Sequence, residues 1–400
     1  MILDKNIESV YSRNIEMFQV YSYGKLVWEK DYSTIPFTVK ATRSGVSVSL
    51  RNLNDATIRY SINGGEWKQT TGSLSIDGVK IAELNKDDIL RIKTTDTVNC
   101  IITGNEADVY GNILSLMYGD DFIGKTSWTS SNSSYETTST LGFFGGNASG
   151  NTTGSSIVNA KHLILPATSL PTGAYASMFA NCKVLEVAPQ LPATTLSSGC
   201  YAYMFAHCDK LITAPKLPAT TLAYRCYYNM FYQSGIVTAP QLPATTLAEN
   251  CYEGMFRGSY LNNAPQLPAT TLAPGCYDSM FHACINLFTA PQLPATTLAE
   301  NCYKDMFMNC DRLTKAPVLL APILVSGCYV NMFKYCYLLN YVKCLATSSE
   351  TYLSDCVDDW LYYAAHKTEN HSGTLVCKKI NGNEMWELYV QDHWWCNYID

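Results

Sequence analysis

The dipeptide Met-Phe recurs at Met178, Met204, Met230, Met255, Met280, Met306 and Met332, in steps of 26, 26, 25, 25, 26 and 26 residues. The leucine opening Leu-Pro-Ala-Thr-Thr-Leu keeps the same steps at Leu165, Leu191, Leu217, Leu242, Leu267 and Leu293, with a degraded copy at Leu319. Two landmarks in phase define one unit, L-P-A-T-T-L-A-x-x-C-Y-x-x-M-F-x-x-C-x-x-L-x-x-A-P-x. A unit this short cannot bury its own Leu, Met and Phe, so it must bury them against the units on either side.

A period of about 20 to 30 residues is that of a leucine-rich-repeat solenoid. The fold expected is therefore an α/β leucine-rich-repeat solenoid of seven 25–26-residue repeats over residues 165–344, each a short strand plus a short helix. In the unit that starts at Leu242, Leu247, Cys251 and Met255 stand at i, i+4 and i+8, and Tyr252 and Phe256 are also four apart. That spacing predicts a short helix capped by Thr245 or Thr246. Gly199, Gly275 and Gly327, each just before a cysteine, imply an irregular first turn. The Leu-x-x-Ala-Pro that follows reads as one brief strand stopped by proline, with Pro243 and Pro265 closing the bend. Stacked at roughly 4.8 Å, the units make a core about 35 Å long that needs a cap at each end. Cys356-Val357-Asp358-Asp359-Trp360-Leu361 stands in a disturbed last unit, and residues 345–400, with Trp386, Trp394 and Trp395, are expected to form the C-terminal cap.

Most of the 16 cysteines belong to the repeat. One column is Cys200, Cys226, Cys251, Cys276, Cys302 and Cys328; a second is Cys182, Cys208, Cys284, Cys310 and Cys336, interrupted by Ser234 and Ser259. Both read as small buried side chains, the serines implying that the second column needs size rather than a partner. An interrupted column does not support a ladder of disulfides. Gln190, Gln241, Gln266 and Gln292, broken by Lys216, read as a ladder bonding coil to coil.

Ahead of the repeats the period changes to two. Phe37–Val39, Val46–Leu50, Ile58–Ile62, Glu66–Thr70 and Ile89–Ile92 alternate, and Asn63-Gly64-Gly65 signals a hairpin, which predicts a small antiparallel β-sandwich over residues 33–104. Residues 1–32 read as an attachment hairpin centred on Val20 to Trp28. Residues 105–164 read as a linker, rich in Ser, Thr, Asn and Gly, and the N-terminal cap of the stack.

Composition removes several functions. Lys+Arg 28 against Asp+Glu 34 gives −6, with no basic run, so no nucleic-acid partner is expected. No stretch approaches about 18 apolar residues, which excludes a transmembrane helix and hence membrane insertion. Met1-Ile2-Leu3-Asp4-Lys5 does not read as a secretory leader, leaving a chain that is not exported by one or whose leader was trimmed. Only 16% of residues are charged, and Tyr 28 exceeds Phe 13 and Trp 7 combined, a surface of hydroxyls and amides that suits a secreted or virion protein.

Gly119-Asp120-Asp121-Phe122-Ile123-Gly124-Lys125-Thr126 matches the phosphate-loop pattern letter for letter, but two carboxylates occupy the loop and Ser127 to Asn132 is no helix, so nucleotide binding is not expected. Cys344, Cys356, Cys377, Cys396, His366, His371 and His393 cluster late in the chain without a metal-ligand spacing. His162, His207 and His282 occupy unrelated positions in the repeat. No catalytic residue, metal or cofactor is expected, and the chain reads as no enzyme. Asn132, Asn147 and Asn151 head glycosylation sequons, meaningful only in a eukaryotic secretory product.

What remains is a surface. Repeat proteins bind through the variable positions of a fixed scaffold. Tyr224, Arg225, Tyr228 and Tyr232 crowd one coil, with Glu249, Glu253, Arg257 and Tyr260 on the next, a patch suited to sugar rings or to a docked protein. The same residues also read as tyrosines tiling a weakly charged surface.

The units from Leu165 to Cys344 resemble the BspA-like leucine-rich repeats of Bacteroidetes surface proteins and are similar to repeats in mycoplasma lipoproteins. Asp108 to Asp120 resembles the segment that leads into such repeats in gut Bacteroides proteins and their phages. Val20 to Trp28 is similar to an aromatic hairpin near the start of tail-fibre and other virion proteins of those phages, crAss-like ones included. The resemblance implies adhesion: a virion fibre that recognises a host-surface glycan or protein, attached to other virion proteins through residues 1–32. The alternative it implies is a bacterial cell-surface adhesin with its leader removed. Fibre habit, without any heptad in the sequence, sets the expectation of a homo-oligomer, a trimer.

Overall fold

A computed structural model of the chain describes residues 10–12, 15–17, 19–22, 25–51, 56–71, 78–96, 99–127, 143–144, 154–366, 372–391 and 393–399. The sequons at Asn132, Asn147 and Asn151 lie outside them, as does His371. Strands β1 (Val10–Ser12) and β2 (Ile15–Met17) pair antiparallel, as do β3 (Gln19–Ser22) and β4 (Lys25–Glu29), where Val20 stands opposite Trp28.

Eight strands follow: β5 (Thr38–Ala41), β6 (Val46–Arg51), β7 (Thr57–Ile62), β8 (Lys68–Thr71), β9 (Val79–Leu84), β10 (Ile89–Thr94), β11 (Asn99–Gly104) and β12 (Ala107–Asn112). One sheet has the order β12-β5-β10-β7-β8 and the other β11-β6-β9, with every pairing among these strands antiparallel. Alternation decides the faces: Val46, Val48 and Leu50 are fully buried while Ser47, Ser49 and Arg51 are half-exposed. Asn63 and Gly64 both have positive φ (52° and 72°), the turn that matches the strand twist of β7 and β8.

Strand β12 is the joint of the molecule. One edge pairs antiparallel with β5; the other takes β13 (Ile157–Asn159) and β14 (Leu163–Ile164) in parallel, and Asn159 bridges in parallel to Val187 in the first repeat. The cores also join. Phe37 packs on Phe144 (6.1 Å between centroids), and Phe144 packs on Phe179, the first phenylalanine of the repeat column (4.9 Å).

The repeats form a stack, but not with a helix in each unit. Among the described residues the α-helices are α1 (Ser115–Tyr118) and α2 (Leu353–Val357), both outside 165–344. In the unit from Leu242, the N–H groups of Asn250, Tyr252, Gly254, Phe256 and Gly258 donate to carbonyls of the next unit, at 2.8–3.1 Å. Those of Cys251, Glu253, Met255, Arg257 and Ser259 donate three residues back within their own unit. Asn250, Gly254 and Gly258 have φ of 53°, 60° and 71°. The segment is thus a run of tight turns with a left-handed residue at every fourth position. A four-residue turn repeats its inward positions at i and i+4, so it buries Cys251, Tyr252, Met255 and Phe256 as a helix would. Thr245 and Thr246 therefore cap nothing, and Thr246 bridges in parallel to Thr221.

Ring columns set the pitch on the turn side. Tyr175, Tyr201, Tyr227, Tyr252, Tyr277, Tyr303 and Tyr329 stack at 5.7–6.2 Å. Phe179, Phe205, Phe231, Phe256, Phe281, Phe307 and Phe333 stack at 5.4–5.9 Å. Backbone strands prefer about 4.8 Å, and in the middle of the stack the extended side does not pair every coil. It pairs coils two by two: Thr213 with Thr238 and Thr221 with Thr246, then Asn263 with Thr289 and Thr271 with Thr297. No backbone hydrogen bond among the described residues joins 238–246 to 263–271. The expected one strand per coil is thus replaced in the middle of the stack by paired bridges, lengthening to true strands toward the C-terminal end at β15 (Val318–Leu319), β16 (Ile323–Leu324) and β17 (Tyr341–Cys344).

At the far end Trp360 lies over Tyr329 (6.3 Å) and Trp386 over Trp360 (5.3 Å), closing the tyrosine column. Strands β17 (Tyr341–Cys344), β19 (Gly373–Cys377) and β20 (Trp394–Tyr398) continue the parallel sheet begun by β15, while β18 (Ser348–Ser349) pairs with β16. Trp394 is buried there, whereas Trp395 is 70% exposed.

At Gly235 one coil runs so close to the backbone of its neighbour that a Cβ would lie 2.2 Å from the Asp209 carbonyl oxygen. Backbone cannot swing aside as a side chain can. Gly235→Ala should lower stability by about 1–3 kcal/mol, read as a fall in the urea midpoint; an unchanged midpoint would show that the two coils are free to separate.

Candidate functional site

The turn segment has two faces. One enters the shared core; the other carries side chains two and six residues after each column cysteine, together with the left-handed residues. On that outer face Ala176, Ala202, Tyr203 and Ala206 form a second buried cluster, separate from the main core, against which Tyr228 and Tyr232 pack.

The sequence-picked residues meet here. The Arg225 guanidinium lies 5.2 Å from the ring centroid of Tyr224 and 4.9 Å from that of Tyr228, and its Nε is 4.0 Å from Glu253 Oε2. Tyr228 meets Tyr203 edge to face at 5.1 Å. Tyr232 meets His207 in the same way at 5.2 Å and carries the exposed Arg257 guanidinium at 6.0 Å. Tyr224, Arg225, Tyr228 and Tyr232 are all half-buried. Glu253 and Arg257 join them, while Tyr260 stands exposed beyond the turn run.

Sequence reading missed Tyr203 and His207 one coil earlier, and the charged groups that extend the face upward. Their signal was the register: Tyr228, Glu253, Asp278 and Lys304 are each two residues after a column cysteine, and Tyr232, Arg257 and His282 each six after. Burial, with Asp278 beside it, pushes the Glu253 carboxyl up to about 7. Burial likewise raises Asp278 to about 6, opposed by the Ser279 hydroxyl, which donates to it at 2.7 Å. Desolvation, with Arg257 nearby, lowers His282 to about 4.

Local backbone makes this region unusual. At the left-handed positions most coils carry Gly, Asn, Asp, Ser or Ala, and Asn250 folds over Gly275 so closely that a Cβ there would meet its Oδ1 at 2.0 Å. The coils of the patch instead place Tyr203 (φ 56°), His207 (57°), Arg225 (50°) and Gln233 (49°) at these positions, as the unit from Leu319 places Tyr335 (61°). A left-handed residue with a Cβ costs about 1–2 kcal/mol.

The cysteine columns are buried and unbridged. Desolvation pushes the Cys251 thiol up to about 12 and does the same to Cys302. The second column is free of disulfides, and its thiols also hydrogen-bond between coils. Cys208, Cys284, Cys310 and Cys336 each donate to a phenylalanine carbonyl of the preceding coil at 3.0–3.1 Å, and Ser234 donates to Phe231 at 2.8 Å. Ser234 thus bonds within its own coil and Ser259 lies 3.7 Å from Cys284 Sγ, so serine fills the position without reproducing the thiol's inter-coil bond.

The glutamine ladder is also different. Gln190, Gln241, Gln266 and Gln292 are exposed, and no hydrogen bond joins one to the next among the described residues. Gln241 and Gln266 instead border a groove of about 590 Å³ where coils fail to pair, floored by Pro240, Pro243, Pro265 and Pro268 and free of charged side chains.

The phosphate-loop match folds as a 3-10 turn over Gly119–Phe122, with Phe122 buried. Asp120 pairs with Lys93 Nζ at 2.6 Å and with Arg59, fastening the turn to the β7–β10 sheet rather than opening it to an anion. Among the described residues no three His, Cys, Asp or Glu side chains form a metal-binding group, and no helix is long and apolar enough to cross a membrane. No family model, curated protein or solved structure matches the chain.

Proposed function

We propose that this chain is a non-enzymatic structural protein of a phage virion, a fibre component of a phage of gut Bacteroidetes, in which a leucine-rich-repeat-type solenoid displays the tyrosine–arginine face to a glycan or protein of the host surface. Residues 1–32 attach it to other virion proteins, and the two-sheet unit acts as a spacer. One observation carries the reading: bulky, half-buried His207 and Arg225 occupy left-handed positions where most other coils use Gly, Asn, Asp, Ser or Ala. Side chains held against local backbone preference and left half-exposed are candidates for contact with a partner rather than for packing.

The test is adsorption. Tyr228→Ala with Tyr232→Ala should reduce binding to host cells by at least about tenfold. Each substitution removes an aromatic contact worth about 1 kcal/mol, so the Tm should fall by only a few degrees. Binding that survives would discard the patch. Antibody labelling of purified virions supports the virion reading, while labelling confined to bacterial envelopes favours the cell-surface adhesin.

A further inference from the structure

The patch belongs to a longer line of cations cradled by tyrosines. Arg225 lies against Tyr224 and Tyr228, Arg257 against Tyr232, and Lys334 against Tyr335 (5.7 Å) and Tyr362 (5.1 Å). Arg257 and Lys334 occupy the same repeat position, six residues after Cys251 and Cys328. The rings are therefore engaged by protein groups: Tyr228 by Arg225 and Tyr203, Tyr232 by Arg257 and His207. A face built this way offers oriented guanidinium and ammonium groups with hydroxyls between them, rather than open rings for a neutral sugar.

Carboxylates interleave with the cations. Glu253 is faced by Arg225, Arg257 and Lys304 as cations, by Asp278 as an anion, and lies near Tyr203. Asp278 is faced by Lys304, Arg257, Asp305 and the Ser279 hydroxyl. Lys334 Nζ holds Asp359 at 2.7 Å. Arg225, Arg257, Lys304 and Lys334 stand among Glu253, Asp278, Asp305 and Asp359, with exposed Glu249 and Glu300 in register with Tyr224 at the edge. Protonating the half-buried Glu253 and Asp278 removes the two anions that lie against Arg225, Arg257 and Lys304.

We propose that this face binds an acidic polysaccharide, a chain with a carboxylate or sulfate on successive sugars, and binds it more tightly below neutral pH. A scaffold that repeats by one coil suits a ligand that repeats by one sugar. The proposal rests on the surface-recognition reading above and names its ligand class. The sign follows from the two carboxyls: above pH about 7 both are ionised and compete with the ligand for the cations, and below about 6 both carry protons.

The full chain would be titrated calorimetrically with polygalacturonate, chondroitin sulfate, neutral dextran and poly-glutamate at pH 5.5 and 8.0, all ionised ligands keeping their charge across that range. Polygalacturonate or chondroitin sulfate should bind about tenfold more tightly at pH 5.5. Arg257→Gln should weaken that binding several-fold, and Glu253→Gln with Asp278→Asn should bind at pH 8.0 as the unsubstituted chain does at pH 5.5. Equal binding of dextran or of poly-glutamate would overturn the ligand class, and a pH dependence that persists in the doubly substituted chain would overturn the role of the carboxyls. Host-cell binding lost in Tyr228→Ala/Tyr232→Ala but indifferent to Arg257→Gln and to added polygalacturonate would sink this proposal alone. Host-cell binding indifferent to both sets of substitutions would sink the recognition reading itself.

Discussion

Met255→Asp should unfold the coils on both sides of it. Met255 is fully buried in the column that contains Met230 and Met280, and its surroundings are Cys, Tyr, Phe and Leu side chains of three successive units. A carboxylate placed there has no cation to pair with and no water. Burying it unpaired costs several kcal/mol, or forces the side chain out and the turn run open. Stability in a stack is a sum over neighbouring units, so the damage should be local. Hydrogen exchange should show protection lost over the units that begin at Leu217, Leu242 and Leu267 and kept in β5–β12. Met255→Leu, which keeps the volume, should cost less than about 1.5 kcal/mol. A Met255→Asp protein with native exchange across those units would mean that the Met column is not a shared core.

Trp360→Ala should fray the stack from its C-terminal end. Trp360 is fully exposed to no solvent, covers Tyr329, supports Trp386, and donates its indole N–H to the Tyr389 carbonyl at 3.1 Å. Truncating a buried tryptophan costs about 3–5 kcal/mol, and here it also uncaps the ring column. Exchange should therefore rise first in 319–366 and fade toward β5–β12, where β12, β13 and β14 hold the opposite end. Uniform loss along the stack would contradict nearest-neighbour coupling, and no loss would show that α2 and β17–β20 close the end without the indole.

The site was half legible in the sequence. Tyr224, Arg225, Tyr228 and Tyr232 stand out because they depart from the unit's consensus, and the structure brings them onto one face. Tyr203, His207, Asp278 and Lys304 were overlooked because they lie one to three units away, where only the stacking register makes them neighbours. The helix was misread for a physical reason. Apolar residues four apart satisfy a helix and a four-residue turn equally, and the distinguishing signal is the Gly, Asn or Asp recurring at every fourth outer position, as at Asn250, Gly254 and Gly258. For the second cysteine column the spacing gives free, buried thiols, while their acceptor, the phenylalanine carbonyl one coil away, is invisible until coils are stacked.

The amino-acid order alone settles the period, and with it which residues go inward. Identical modules cannot hide Met, Phe and Tyr except against one another, so lengthwise stacking, the two columns of thiols and the need for lids follow from the spacing of a few letters. Tertiary structure decides the interval between modules and what that interval does. Aromatic rings stack about 5.7 Å apart on the turn side, where backbone hydrogen bonds join each coil to the next, while extended strands pair near 4.8 Å, and no single chain segment contains both arrangements. Their combination, strands paired two by two on one side and ionisable groups brought into register on the other, exists only once the coils lie together.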